Sequence, residues 1–367
     1  MNKNPLLALK KLGQHLWLDN LSRELLQAGG LQRLIKQDGV DGVTSNPAIF
    51  HKAIADSAYY LDDLARLRAS HLDVEARYEA LVIPDIQAAC DLLWPAYVAS
   101  DAEAGYVSLE VSPLLAHDAE ATMAAAKRLA KTVNRENLLL KVPATAAGLL
   151  AFEQLTAAGI RVNVTLIFSL AQYAAVAQAY LRGALGWLES GGSRRQLRSV
   201  ASIFLSRIDT LVDQRLSAIN TAQAANLKGQ AGVALAKICH KHYLDIFHGP
   251  DFALLRLAHI RPQAPLWAST GNKDPAASDV RYVEPLIGAN TVTTLPDATL
   301  AAFREHGRVA ETLKTGLDEA LAQREALAGL GIDLDEVGET LQREGVQLFT
   351  EAYEKLLASV QGSMSQL

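Results

Sequence analysis

Cysteine is almost missing from this chain of 367 residues: Cys90 and Cys239 are the only two, too few for a disulfide framework. Long apolar runs are missing as well, since no stretch approaches the roughly 20 residues of a membrane-spanning helix. The amino end, Met1-Asn-Lys-Asn-Pro-Leu-Leu-Ala-Leu-Lys10, has no basic region followed by a sustained apolar core, so no secretory leader is expected. Positive charge is not in excess: a net charge of −5 gives no overall attraction to nucleic acid or anionic membrane. No Gly-x-Gly-x-x-Gly follows any expected strand, which argues against a dinucleotide-binding open sheet. No Pro/Ser/Gly-rich tract divides the chain into domains. What is present, 50% apolar and 20% charged residues, is a globular composition, and the expectation is a soluble, cytoplasmic protein.

Strand and helix patterns alternate. Strands are expected at 15–19, 40–45, 106–112, 137–142, 161–167, 200–205, 265–270 and 290–294, each a short apolar or alternating run closed by a turn signal. Between them lie helical segments: a short one at 4–13, one at 21–36, several across 47–97, an alanine-rich one at 119–132, one ending near Gly159, and a long stretch reaching about His248. Ser169 opens a helix, with Gln172 placed to complete a capping box. From Asp297 onward the chain reads as helical, with breaks near Gly307 and at Gly329-Leu-Gly331. Eight strands separated by helices predict a single (β/α)8 barrel over residues 1–367, with additional N- and C-terminal helices and a helical extension over about 297–367. A doubly wound open sheet is the alternative fold.

The stretch Asn137-Leu-Leu-Leu-Lys-Val-Pro143 puts a lysine where lysines seldom sit. Strand side chains alternate between two faces, so Leu138, Leu140 and Val142 share one face and Leu139 and Lys141 the other. In a parallel sheet covered on both faces, Lys141 points into the protein near the strand's carboxyl end. The competing reading is a surface strand with a solvated lysine, the ordinary state of the residue; the flanking leucines and valine argue against it. An ammonium taken out of water loses proton affinity, which is how proteins make an amine nucleophilic enough to form a Schiff base with a carbonyl. Lys141 is therefore read as the centre of the chemistry.

The same period places Ser108, Glu110 and Ser112 opposite Val107, Leu109 and Val111. It places Asn163 and Thr165 opposite Val162, Val164 and Leu166, Ser202 and Phe204 opposite Ala201 and Ile203, and Trp17 and Asp19 opposite Leu16 and Leu18. The apolar set must meet helices, so the polar set faces the barrel axis and gathers towards the carboxyl ends, where barrel enzymes keep their sites. Asp19 and Glu110 can move protons; Asn46 and Asn163 can hold hydroxyls or an oxyanion. Singly, Asp19 reads equally as a helix cap and Asn46, before Pro47, as a turn residue.

Two stretches carry a family resemblance. Val43-Thr-Ser-Asn-Pro-Ala-Ile-Phe50 resembles the first transaldolase signature, and Leu138-Leu-Leu-Lys-Val-Pro-Ala-Thr-Ala-Ala-Gly-Leu149 resembles the second, which surrounds a Schiff-base lysine. Asn163-Val-Thr-Leu-Ile-Phe-Ser169 and Ser202-Ile-Phe-Leu-Ser-Arg-Ile-Asp209 also look like their counterparts, and the matches run from Asp19 to about Lys273. The length and the Gly331-Ile-Asp-Leu334 tail are similar to the longer bacterial type. The resemblance implies transfer of a dihydroxyacetone unit, in the pentose phosphate pathway, from sedoheptulose 7-phosphate or fructose 6-phosphate to an aldose phosphate such as glyceraldehyde 3-phosphate or erythrose 4-phosphate. It implies that Lys141 forms the imine, that Asp19 takes the C4-hydroxyl proton, and that Glu110 serves the imine steps through a water held with Thr165. Asn46 and Asn163 would bind the dihydroxyacetone hydroxyls, Phe204 would line the substrate site, and Ser202, Arg207 and Ser269 would hold phosphate. No metal or organic cofactor is implied, and the partners are sugar phosphates, with neither nucleic acid nor membrane; the chain would be a monomer or homodimer. One departure stands out. Shorter transaldolases carry a phosphate-binding arginine where this chain has Gly271, and Lys273 is the expected replacement, unless it pairs with Asp274 or another surface acid.

Three other functions remain in view. A fructose 6-phosphate aldolase would run the same chemistry without an acceptor, but such relatives are shorter and carry a tyrosine at the place of Phe204. A metal-dependent aldolase would use His240, His242 and His248, yet residues two apart on a helix face opposite ways. A non-catalytic barrel would have no use for the intact set Asp19, Asn46, Glu110, Lys141 and Asn163.

Overall fold

The computed structural model describes residues 4–55, 57–193 and 197–362; the first three and last five residues of the expected 1–367 span, including the end of the extension, lie outside them. Eight strands form a closed, all-parallel barrel in chain order: β1 (Gln14–Leu18), β2 (Gly42–Thr44), β3 (Tyr106–Glu110), β4 (Leu138–Pro143), β5 (Val162–Ile167), β6 (Ser199–Phe204), β7 (Ala264–Ala268) and β8 (Thr291–Leu295), with β8 returning to β1. The (β/α)8 reading holds and the open doubly wound sheet does not. Most strand boundaries shift by a residue or two: β2 begins after Asp41, and β3 ends at Glu110 rather than Ser112.

Parallel strands need long crossovers, and helices cover the outer face of the sheet. That is why Leu138, Leu140, Val142, Val162 and Val164 are all buried. Register then sets the site. Glu110 pairs with Lys141, and Lys141 with Asn163, so the three stand side by side in one row of the barrel wall. The 47–97 region resolves into helices Pro47–Ala55, Leu61–Arg68 and Val74–Ala99. The stretch to His248 resolves into Ser206–Ile219, Ala222–Leu227 and Ala231–Phe247.

Local chemistry fixes the turns that carry the site. After β4, the Thr145 hydroxyl accepts from the Gly148 amide at 3.0 Å and caps helix Ala146–Ala157. A side chain at 148 could not exist, because its Cβ would fall 1.9 Å from the Pro143 carbonyl oxygen; the signature's glycine is a requirement of the turn. At Ser169 the hydroxyl accepts from the Gln172 amide at 3.2 Å, as the capping box predicts. The Gln172 side chain reaches one residue further back than expected, to the Phe168 N–H at 2.8 Å.

The alternation breaks in β5. β5 shifts register between Val164 and Ile167, and Leu166 takes a positive φ of 60°, an uncommon conformation for a bulky residue. Its side chain leaves the helix-covered face and meets the last helix, where a Cβ at Gly345 would lie 3.0 Å from it.

That last helix, Leu334–Gln361, packs against Pro47–Ala55, Val74–Ala99 and β5, and lies over the carboxyl end of the barrel. Asp333 caps its start, and Leu334, Val337, Leu341, Phe349, Tyr353 and Leu356 are its buried stripe, the spacing of an amphipathic helix. Gly338 is small because a Cβ there would sit 2.6 Å from Ser169. Gln342 donates to the carbonyls of Ala144 and Leu166 at 2.9 and 3.1 Å, tying the helix to the ends of β4 and β5. Among the described residues no helix is long and apolar enough to cross a membrane.

Candidate active site

Lys141 lies inside the barrel, 5% exposed, so the solvated-strand alternative does not hold. Its ammonium donates to the Ser45 carbonyl at 3.0 Å and to Glu110 Oε2 at 3.2 Å. Phe349 of the last helix places its ring centroid 5.8 Å from Nζ, within cation–π range. Lys141 forms part of the wall of a cavity with Asp19, Thr44, Asn46, Thr165, Ser202, Phe204, Arg207, Ser269, Thr294 and Phe349.

Each wall residue arrives by a definable route. Asp19 follows β1; its amide donates to the Leu295 carbonyl at 2.9 Å, and its carboxylate accepts from the Thr44 hydroxyl at 2.8 Å. Its side chain is therefore not a helix cap. Burial raises its pKa, while Lys141 and the Thr44 hydrogen bond pull it back. Asn46 does cap a helix: its Oδ1 accepts from the Ile49 amide at 3.0 Å, and the residue lines the cavity. Thr165 Oγ1 is buried without a hydrogen-bond partner among the described residues.

One part of the cavity wall carries a cation. Arg207 is half-buried at the start of helix Ser206–Ile219, 5.9 Å from the Phe204 ring centroid, and makes no ion pair among the described residues. Burial lowers its pKa, with Glu344 of the last helix opposing. Ser206 and Ser269 hydroxyls are bonded at 2.8 Å beside it, and Ser269 has a positive φ of 54°.

Three of the sequence-selected residues do not face this cavity. Asn163 is fully buried in the barrel interior, donating to Ser108 Oγ at 3.1 Å and accepting from Ser202 Oγ at 2.7 Å. Glu110 touches Lys141 but borders a different space, and burial raises its pKa against the pull of Lys141. Lys273 is exposed on the loop after β7. Its pKa is lowered, first by what desolvation the loop imposes and then by Arg207. Asp274 is occupied in its own turn, accepting from the Ala276 amide at 2.9 Å.

Sequence reasoning missed Thr44, Thr294 and Phe349. The two threonines, bonded to each other at 3.0 Å, were accessible to the same alternation that found Asp19. Phe349 had no local signal. The histidines of the metal alternative lie elsewhere: His240 stacks on Tyr243 with centroids 5.8 Å apart, and burial pushes its pKa down to about 4. His242 meets Tyr173 edge-on, and His248 meets Tyr243. Among the described residues no cluster of three or more potential metal ligands occurs.

A buried amine bonded to a carboxylate, a second acid held by a threonine and an unpaired guanidinium across the same cavity can together form an imine, move protons and bind an anion. Residues 16–360 match the sequence profile of a family described as transaldolase/fructose-6-phosphate aldolase. A transaldolase of Thiobacillus denitrificans is 54% identical over 352 residues, covering 96% of this chain and 98% of its own length. One from Neisseria meningitidis is 46% identical, covering 95% and 97%, and one from Frankia alni 44%, covering 97% and 96%.

Proposed function

The chain belongs to the transaldolase/fructose-6-phosphate aldolase family, and on that premise we propose that it is a transaldolase acting through a Schiff base on Lys141. It moves a dihydroxyacetone unit from sedoheptulose 7-phosphate or fructose 6-phosphate to glyceraldehyde 3-phosphate or erythrose 4-phosphate. The observation that carries this reading is the Lys141 ammonium held at 3.2 Å from Glu110 at the wall of a cavity that also holds Asp19 and Arg207.

Lys141 passes a proton to Glu110 and, now neutral, attacks the ketone carbon; a second N–H proton moves to the carbonyl oxygen and gives a carbinolamine. Glu110 donates a proton to the departing hydroxyl, water leaves, and the nitrogen lone pair closes the iminium. Glu110 touches the reacting nitrogen directly, and Thr165, its hydroxyl free, holds the water of this step. Asp19 takes the C4-hydroxyl proton, the carbon–carbon bond breaks, and its electrons pass into the iminium. The aldose phosphate leaves; a second aldose phosphate accepts the retained enamine, and hydrolysis releases the new ketose. The Asn46 amide binds a dihydroxyacetone hydroxyl. Asn163 acts through Ser202, whose hydroxyl it orients by accepting from it. Arg207 and Ser269 hold the phosphate, and Lys273 supplies the outer cation. Phe204 brings no hydroxyl to activate a water, which disfavours a fructose 6-phosphate aldolase.

We read the whole chain as one barrel domain, its extension serving as a cover. A cytoplasmic place in the pentose phosphate pathway and a monomer or homodimer complete the proposal. Borohydride added with fructose 6-phosphate is expected to leave a reduced dihydroxyacetone group on the peptide carrying Lys141. A coupled assay should need erythrose 4-phosphate for sustained turnover. Labelling confined to other lysines, or turnover at full rate without acceptor, would overturn the reading.

A further inference from the structure

Asp19 follows β1, and each of the two strands that flank β1 sends a threonine to the same cavity wall. β2 pairs Val43 with Leu18, which sets Thr44 beside Asp19. β8 pairs Thr294 with Trp17, two residues before Asp19. Thr44 donates to Asp19 Oδ1 at 2.8 Å, and the two threonine hydroxyls are 3.0 Å apart. A hydroxyl has one hydrogen to give. With that of Thr44 on the carboxylate, the hydrogen between the threonines must come from Thr294. The order of donation is Thr294 to Thr44 to Asp19. Thr294 is 3% exposed, and its hydroxyl has no other hydrogen-bond partner among the described residues. Valine would suit a buried strand position as well, so Thr44 alone accounts for the hydroxyl. Thr294 is itself anchored. Its carbonyl accepts from the Thr270 hydroxyl at 2.6 Å, and the next carbonyl, of Leu295, accepts from the Asp19 amide at 2.9 Å.

We propose that Thr294 is a positioning residue for Asp19: it holds the Thr44 hydroxyl with its hydrogen on Oδ1, so that Oδ2 takes the C4-hydroxyl proton. This rests on the reading of Asp19 as the base of the aldol steps. Thr44 has a second acceptor in reach, the Leu18 carbonyl at 3.4 Å. A hydrogen given by Thr294 occupies a lone pair of Thr44, which opposes rotation towards that carbonyl and polarises the hydroxyl. Oδ1 then keeps its donor, and among the described residues that is the one hydrogen bond the carboxylate accepts. In cleavage one proton moves from the C4 hydroxyl to Oδ2 as the carbon–carbon bond breaks. In the second half the same proton returns from Oδ2 to the acceptor's aldehyde oxygen as the new bond forms. Charged groups meet Asp19 from several elements: Lys141 on β4, Glu110 on β3, Arg207 on the same cavity wall, Asp297 at the start of its helix, and Glu24 and Lys52 on an outer cleft. Exchange of threonine for valine alters none of these charges.

The test compares Thr294→Val with Thr294→Ser, Thr44→Val and the double variant Thr44→Val/Thr294→Val. Thr293→Val is the control, since that buried hydroxyl has no partner among the described residues. Aspartate is labelled with 13C at the carboxyl carbon, and the Asp19 signal is identified by its absence from Asp19→Asn. The signal is titrated in each variant, and kcat for transfer from fructose 6-phosphate to erythrose 4-phosphate is followed over the same pH range. Burial raises the Asp19 pKa, while Lys141 and then the Thr44 bond lower it, so weakening that bond raises it further. The expected result is that the Asp19 titration and the acid limb of kcat both move to higher pH in Thr294→Val, by less than in Thr44→Val. The double variant should match Thr44→Val, because Thr294 acts only through Thr44. Thr294→Ser and Thr293→Val should titrate as wild type. An unmoved titration in Thr294→Val would overturn the proposal. So would a further shift when that change is added to Thr44→Val, or an equal shift in Thr293→Val. A raised KM with the titration in place would make Thr294 a substrate contact instead. If the titration moves as expected while the limb stays, the positioning holds and the reading of Asp19 as the base falls.

Discussion

The strand ends beneath the Lys141 cavity and the helix above it border the same space but are built differently. Below, Lys141 and Thr165 stand on β4 and β5, and Asp19 follows β1 directly. Parallel register sets the separations on the strands: Lys141 lies opposite Glu110 and Asn163, and Thr165 opposite Pro143. Above, Phe349 comes from a helix more than 160 residues beyond Thr165, held by Gln342 on two strand-end carbonyls, by glycines set against β5 and the turn after it, and by the pair Arg215–Glu336. The lower half holds the ionisable groups in costly burial, and burial raises the pKa of both Asp19 and Glu110. The upper half contributes an apolar ring and water exclusion. The ionisable groups are thus carried by the barrel wall, and the cover by a helix packed through its buried stripe on sequence-distant elements.

If that division is right, the acids give the largest effects. Asp19→Asn should lower turnover by about 10²–10⁴-fold while imine trapping survives, and Glu110→Gln should slow trapping itself. The same Asp19→Asn change should raise melting temperature at neutral pH. The native carboxyl has its pKa raised above the unfolded value, so keeping it ionised opposes folding above the native pKa. That penalty disappears below the ordinary carboxyl range, so the gap between variant and wild type should close on acidification. A variant less stable than wild type at neutral pH would break the comparison.

Lys273→Ala tests the rim. Loss of one cation at the phosphate should raise KM for phosphorylated ketoses by about tenfold, as for a charge-assisted hydrogen bond of some 1.5 kcal/mol, with trapping at saturation intact. An unchanged KM would leave Arg207 alone with the phosphate.

For the cover, Phe349→Ala should cost about 3 kcal/mol of stability, as deletion of a buried ring does, yet slow imine trapping less than tenfold, the scale of one cation–π contact. Phe349→Leu should recover most of the stability. A rate loss rivalling that of Asp19→Asn would put chemistry in the cover and erase the contrast.

Thr44→Val gives the smallest change. The Thr44 hydroxyl lowers the Asp19 pKa, so its removal should raise that pKa and move the acid limb of the kcat profile to higher pH, with the plateau little altered. A limb that stays in place would mean that Asp19 is not the titrating base.

The sequence by itself determined the barrel, since eight period-two runs separated by helices have few other solutions, and it determined which residues face the axis. Alternation is local, so Asp19, Glu110, Lys141, Thr165 and Ser202 could be read from neighbouring residues. It failed at Leu166, where the backbone turns to positive φ and the side chain follows the last helix. Only the tertiary structure decided that Glu110 borders a second cavity, that Asn163 is occupied with Ser108 and Ser202, and that Phe349 stands over Lys141. Each of these depends on how deep a side chain lies and on which distant element closes over it. Periodicity fixes the face a residue takes; depth and cover come from packing between segments that share no sequence neighbourhood.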